Sequence, residues 1–272
     1  MMRTSSLFLS ILVGALARDS IAADQEPLPT ICTDCHNKPQ TERPGAAPQV
    51  LAESAHKALE CTDCHQGVTM DRVDRAAQRP HGERVPVVNC GECHEDVSKI
   101  YTKHGQMEIG KDLDIPKCWS CHGSHDILPS SNRDSHVHPL NLAATCESCH
   151  TNVDIIKNHD LLKEEPIKLY ESSVHGRATH RGLHMAATCS DCHSANAPNG
   201  SHTAHRILGG GDPESTIYLF NIPATCGKCH RGIAEDYWEG IHGQLVKRGE
   251  VDAPVCTRCH GEHGILPASD LR

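Results

Sequence analysis

The spelling Cys-x-x-Cys-His occurs eight times in this chain and uses all sixteen cysteines. Two thiols three positions apart lie on one side of a turn, where both can add to the vinyl groups along one porphyrin edge. The histidine that follows is then carried over the iron. The motif is the attachment signature of c-type haem, and the reading is eight covalently bound haem c groups. The thioether positions are Cys32 and Cys35, Cys61 and Cys64, Cys90 and Cys93, Cys118 and Cys121, Cys146 and Cys149, Cys189 and Cys192, Cys226 and Cys229, and Cys256 and Cys259. The proximal iron ligands are His36, His65, His94, His122, His150, His193, His230 and His260. Structural zinc and disulfide frameworks also use paired cysteines, but neither calls for a histidine directly after every second one.

The motifs belong to a longer internal repeat. His125 to Leu128 followed by Cys146 to His150 matches His205 to Leu208 followed by Cys226 to His230 at an offset of 80, with Ser135 on Ser215, Asn141 on Asn221 and Ala144-Thr145 on Ala224-Thr225. At an offset of 138, His104-Gly105-Gln106 matches His242-Gly243-Gln244, and Cys118 to Pro129 matches Cys256 to Pro267. The chain therefore divides into two-motif units at about 24–89, 90–145, 146–225 and 226–272, opened by Cys32, Cys90, Cys146 and Cys226. The first is the most divergent.

Fourteen of the twenty-two histidines lie outside the motifs, and the repeat selects eight of them. His56, His104, His175 and His242 precede the second motif of each unit, and His81, His125, His205 and His263 follow it. Eight irons and eight recurring histidines imply bis-histidine coordination throughout, although sequence alone does not assign a distal histidine to a particular iron. Glycine follows three of the first four, which would let backbone approach a porphyrin closely. His136, His138, His159, His180, His184 and His202 remain, of which His180 and His184 have the i, i+4 spacing of a helical metal pair. Bis-histidine iron, without the potential-raising methionine, is expected to be low-potential.

Aromatic residues make up 3% of the chain and its mean hydropathy is −0.45. Such a polypeptide buries too little apolar surface to offset its chain entropy, and porphyrins would supply the missing interior. The fold class expected is mostly coil with short α-helices and little or no β-sheet, organised by haem. Helices are expected over Glu95–Lys103, Val153–Leu162 and Ile233–Trp238. Gly209–Pro213 and Ala197–Gly200 have the composition of loops. Trp119 and Trp238 are expected to pack on porphyrin. The formal net charge of −9 argues against nucleic acid as a partner and favours redox proteins with a cationic docking patch.

Residues 1–23 have the pattern of a secretory signal: Arg3, an apolar run over Leu7–Ala17 and small residues at Ser20–Ala23. The run is short for a spanning helix, and no later stretch is long and apolar enough to cross a bilayer. The expected location is the periplasm or outside the cell.

The segment Cys118-Trp119-Ser120-Cys121-His122-Gly123-Ser124-His125-Asp126-Ile127-Leu128-Pro129, its partner ending His263-Gly264-Ile265-Leu266-Pro267, and the lead-in Asn221-Ile222-Pro223-Ala224-Thr225-Cys226 resemble multihaem cytochromes c of the cytochrome c3-like, doubled-CxxCH type. The resemblance runs from about Asp34 to the end of the sequence. It implies a bacterial periplasmic or extracellular electron carrier, partnered with a quinol-oxidising membrane complex or a terminal reductase. The function expected is electron transfer along closely packed, coordinatively closed haems, with no catalytic residue. Two alternatives stand beside it. One is a subunit of an extracellular cytochrome filament. The other is a multihaem reductase of small nitrogen or sulfur oxyanions with one open iron, a class that in several families carries a motif ending Cys-Lys, which this chain lacks.

Overall fold

A computed structural model describes residues 48–66, 68, 86–112, 114–159, 161, 165–196 and 202–270, together with Cys32 and His36. The expected signal over residues 1–23, the ligand position His81, Cys35 and the Ala197–Gly200 loop lie outside the described residues.

Helices are short, four to nine residues, and they recur at and after the motifs. Cys61–Cys64, Cys118–His122, Cys189–Cys192 and Cys256–His260 each form a single helical turn, and Leu142–His150 and Ile222–Gly227 run into their motifs from the N-terminal side. The three expected helices occur as Glu95–Ile100, Val153–Asn158 and Arg231–Glu239. His94 and His230 sit at the N-caps of the first and last, and the Asn152 carboxamide oxygen caps the second by accepting from the Asp154 and Ile155 N–H groups. Motif and following helix are thus one continuous local structure, which is why helix signals follow the motifs in sequence.

Five strands of two or three residues complete the described regular structure: β1 (Lys103–Gly105), β2 (Met107–Glu108), β3 (Ala195–Asn196), β4 (His202–Thr203) and β5 (Ile207–Leu208). β1 pairs antiparallel with β2 and parallel with β5, and β3 pairs antiparallel with β4. The expectation of short helices with little sheet therefore holds at this coarse level.

The repeat in sequence is a repeat in hydrogen bonding. Ser135 Oγ donates to the Leu128 carbonyl at 3.0 Å and Ser215 Oγ to the Leu208 carbonyl at 3.0 Å. Asn141 Nδ2 donates to the Arg133 and Ser135 carbonyls, and Asn221 Nδ2 to those of Pro213 and Ser215. A tyrosine in each of three units donates its hydroxyl to the carbonyl two residues before the second motif: Tyr101 to Pro116, Tyr170 to Ala187 and Tyr237 to Pro254. These polar ties hold the units together where apolar packing is thin. The buried apolar residues are Ile115, Ala143, Ile167, Ala186, Ala195, Leu208, Val246, Ala253 and Val255, four of them alanine. Among the described residues one small cluster forms, Val246, Ala253 and Val255, with Leu219, Phe220, Ile222, Tyr237, Trp238 and Leu245 against it.

Gly176 and Gly243 occupy equivalent places and are needed for the packing of two helices. A Cβ at Gly176 would fall on the Tyr170 carbonyl oxygen, and one at Gly243 on the Tyr237 carbonyl oxygen. The absent side chain lets the histidine-bearing helix approach the backbone of the preceding helix. Gly243→Ala is expected to destabilise by roughly 3 kcal/mol, because backbone must move to admit the methyl group; chemical or thermal unfolding of the variant checks this.

Candidate functional site

Six of the eight motif histidines stand opposite a histidine from outside the motifs. The ring centroids are 5.8 Å apart for His94 and His56, 6.1 Å for His65 and His125, 6.2 Å for His150 and His104, 5.7 Å for His122 and His205, 6.2 Å for His230 and His175, and 5.7 Å for His193 and His263. Six of the eight positions selected by the repeat therefore face a motif histidine. Of the remaining two, His81 lies outside the described residues, and no histidine ring faces His242 among the described residues.

The spacing is informative. Aromatic pairs in ordinary contact have ring centroids about 4.5–7 Å apart, and His193 and His263, parallel within 4°, stand at 5.7 Å. An iron held between two imidazoles needs two bonds of about 2 Å plus about 1 Å from each nitrogen to its ring centre, close to 6 Å in all. All six pairs meet that requirement. Six of these twelve rings are also pushed toward the neutral state that offers a lone pair. Burial lowers the proton affinity of His104 and His193, each to about 4, with the neighbouring His150 and His263 adding to it. Burial is likewise the leading cause that lowers His122, His150, His175 and His205. Nδ1 of His263 is buried without a hydrogen-bond partner.

Each distal histidine comes from a neighbouring unit, the assignment that sequence leaves open. His56 of the first unit faces His94 of the second, and His125 of the second faces His65 of the first. The second and third units exchange His104 and His205 in the same way, and the third and fourth exchange His175 and His263. One backbone contact accompanies each exchange. The Ala55 N–H donates to the Ile127 carbonyl at 2.7 Å, the Val174 N–H donates to the Ile265 carbonyl at 2.8 Å, and His104 pairs with Ile207 in the parallel β1–β5 ladder. Left-handed glycines after two motifs, Gly123 at φ 80° and Gly261 at φ 75°, turn the chain so that His125 and His263 leave their own unit.

The cysteines form a parallel series. First cysteines lie close enough to interact within a unit: Cys61 with Cys32, Cys90 with Cys118, Cys146 with Cys189 and Cys226 with Cys256. Second cysteines lie close enough to interact electrostatically across unit boundaries: Cys64 with Cys93, Cys121 with Cys149 and Cys192 with Cys229. Motifs that are consecutive in sequence are therefore adjacent in space, all eight in order. Burial pushes the Cys121 and Cys192 thiols up.

One apolar position went unremarked in the sequence. Seven residues after the opening cysteine, three units place Val97, Val153 and Ile233, exposed by 37%, 74% and 69%. Recurrence in register was the signal that could have found it, since a large aliphatic exposed at the same place three times is a surface shaped to be covered. Trp238 packs edge-on against Tyr237 at 5.4 Å, beneath the Lys247 ammonium. Trp119 is 39% exposed within its motif.

The other histidines have different partners. His136 Nε2 meets Asp126 at 2.9 Å, and His159 Nε2 meets Asp114 at 3.2 Å. His180 and His184 do not share a helix, because Val174–His180 ends at His180 and Gly182 takes a left-handed turn. His180 lies 3.9 Å from Glu171, while His184 stands edge-on to the buried His138 at 5.6 Å. Among the described residues, no group of three or more His, Cys, Asp or Glu side chains is placed to hold a metal ion by itself. No helix among them is long and apolar enough to cross a membrane.

No protein-family model matches the chain, and no solved structure matches it.

Proposed function

We propose that the protein is an octahaem c-type cytochrome that carries electrons between redox partners in the periplasm or outside the cell. The observation that carries this reading is the pairing of six motif histidines with six histidines of adjoining units at the separation two axial iron bonds require. When bound, haem would supply a one-electron couple at each motif. The chain supplies everything else. Its cysteine pairs would hold the cofactors in sequence order, its paired histidines would ligate the irons and exclude substrate from them, and burial favours the neutral imidazole at six of those histidines. Closed coordination changes little in geometry between oxidation states, which suits electron exchange and not bond-making chemistry. The net charge of −9 favours a partner with a cationic docking face, the quinol-oxidising complex or terminal reductase implied by the family resemblance.

Ring orientation supplies the test. The pairs whose distal histidine follows a second motif are near parallel, at 30°, 12° and 4°, and those whose distal histidine precedes it are crossed, at 66°, 50° and 54°. Low-spin ferric iron between parallel imidazoles gives an ordinary rhombic paramagnetic resonance signal, and crossed imidazoles give a far more anisotropic one. The oxidised holoprotein is expected to show both classes in comparable amounts. Intact mass should show eight haems. Bare thiols, or predominantly high-spin iron, would overturn the reading.

A further inference from the structure

Two segments outside the motifs, residues 130–140 and 180–184, enclose a cleft of about 790 Å³. Arg133, His138, Arg181 and His184 stand around it, and no carboxylate is among its walls. His138 is 6% exposed, and its ring lies 5.6 Å from that of His184, crossed at 78°. That separation resembles the one in the six pairs described above, but the tautomer of His138 excludes the same use. The Leu140 N–H donates to His138 Nδ1 at 3.2 Å. A backbone amide can only donate, so Nδ1 is bare and the neutral ring carries its proton on Nε2. Nε2 therefore presents an N–H where a metal would need a lone pair. Among the described residues this N–H has no hydrogen-bond acceptor. A nearly buried donor left open on a cleft is a group suited to a ligand that accepts.

The charges around the cleft say what kind of acceptor. Among the described residues neither the Arg133 nor the Arg181 guanidinium is paired with a carboxylate, in a chain whose formal net charge is −9. His180, on the rim, is turned to Glu171 at 3.9 Å and is not counted among the donors. Guanidinium forks match the oxygens of phosphate and carboxylate groups. Donors that arrive from two separate segments suit a tetrahedral oxyanion, which has oxygens to meet both. The volume is that of a small-molecule site, roughly 300–1,000 Å³, and exceeds what one free ion fills. We propose that this cleft binds the phosphate group of a small phosphomonoester, with Arg133 and Arg181 neutralising its charge and His138 Nε2–H donating from the floor. The site takes no residue from the haem-binding set, so it stands or falls apart from the proposed function.

The test is titration calorimetry on the full chain as exported, its haem content first measured by mass so that a failure of the haem reading is seen separately. Phenyl phosphate, inorganic phosphate and sodium chloride are the probes. Phenyl phosphate is expected to bind saturably at one site per chain and more tightly than inorganic phosphate, with no saturable heat from chloride. Arg133→Gln and Arg181→Gln, at exposed positions, are each expected to weaken binding about ten-fold or more, as loss of a charge-assisted hydrogen bond does. His138→Phe keeps a buried ring without the donor and should weaken binding too; the two arginine variants carry the test if it does not fold. Arg248→Gln removes the same charge from an exposed position in the fourth unit and should bind as wild type does. Equal affinity for both phosphates would bear out the site with the free ion as its ligand. Absence of saturable binding would overturn the proposal, and so would arginine variants that bind normally. An equal loss in Arg248→Gln would overturn it as well, since net charge alone would then account for the binding.

Discussion

Produced where haem cannot be attached, the chain is expected to lack a cooperative unfolding transition and to be degraded quickly by proteases. The reason is the size of its own interior. Among the described residues, four of nine buried apolar side chains are alanines, and the cluster among them centres on Val246, Ala253 and Val255. Fixing a residue costs roughly 1–2 kcal/mol of chain entropy, while a fully buried large aliphatic side chain returns about 1.5–3 kcal/mol. With so few such side chains the balance lies with the unfolded state. The tyrosine and asparagine ties cannot reverse it, since each net hydrogen bond contributes about 1 kcal/mol. Circular dichroism and limited proteolysis of the unloaded chain, beside the loaded one, check this. A sharp thermal transition without cofactor would show that the polypeptide carries its own core.

The second large effect is expected at His263. Its ring lies parallel to that of His193 within 4°, and it arrives from the fourth unit to complete a site in the third. His263→Ala is expected to convert the iron of the Cys189 motif from low-spin to high-spin and to open it to carbon monoxide, with the irons of the other internal pairs unchanged. His263→Met should keep that iron low-spin and raise its potential alone, because thioether ligation favours the reduced state. His180→Ala is the contrast: this exposed histidine, near Glu171 and facing no motif, should leave spectra and potentials as they are. Carbon monoxide difference spectra and a spectroelectrochemical titration of the three proteins separate these outcomes. If His263→Ala left every iron low-spin, the pairing with His193 would be refuted.

Much of this arrangement could be read from residues. The motifs name their own cysteines and proximal histidines, and recurrence in register singled out His56, His104, His125, His175, His205 and His263, all six of which face a motif histidine. The partner of each could not be read. A repeat specifies equivalence between units but not which unit a side chain points toward, and that direction is set by single backbone features such as the left-handed Gly123 and Gly261. The packing role of Gly176 and Gly243 was hidden for a related reason. Their close neighbour is the backbone of Tyr170 and Tyr237, visible only once two helices are packed. His180 and His184 look like a helical pair by spacing, but the turn at Gly182 divides them.

The exchange of histidines between adjoining units has a consequence for how such a molecule can change over time. Every two-motif segment receives one kind of contact from the segment before it and hands the same kind on. Duplication of a whole segment therefore extends the series while leaving each existing neighbour satisfied, whereas loss of half a segment leaves histidines unmatched on both sides of the cut. A conventional globular core must be repacked when a stretch is inserted into it; this architecture grows in steps, and its reach is a matter of copy number.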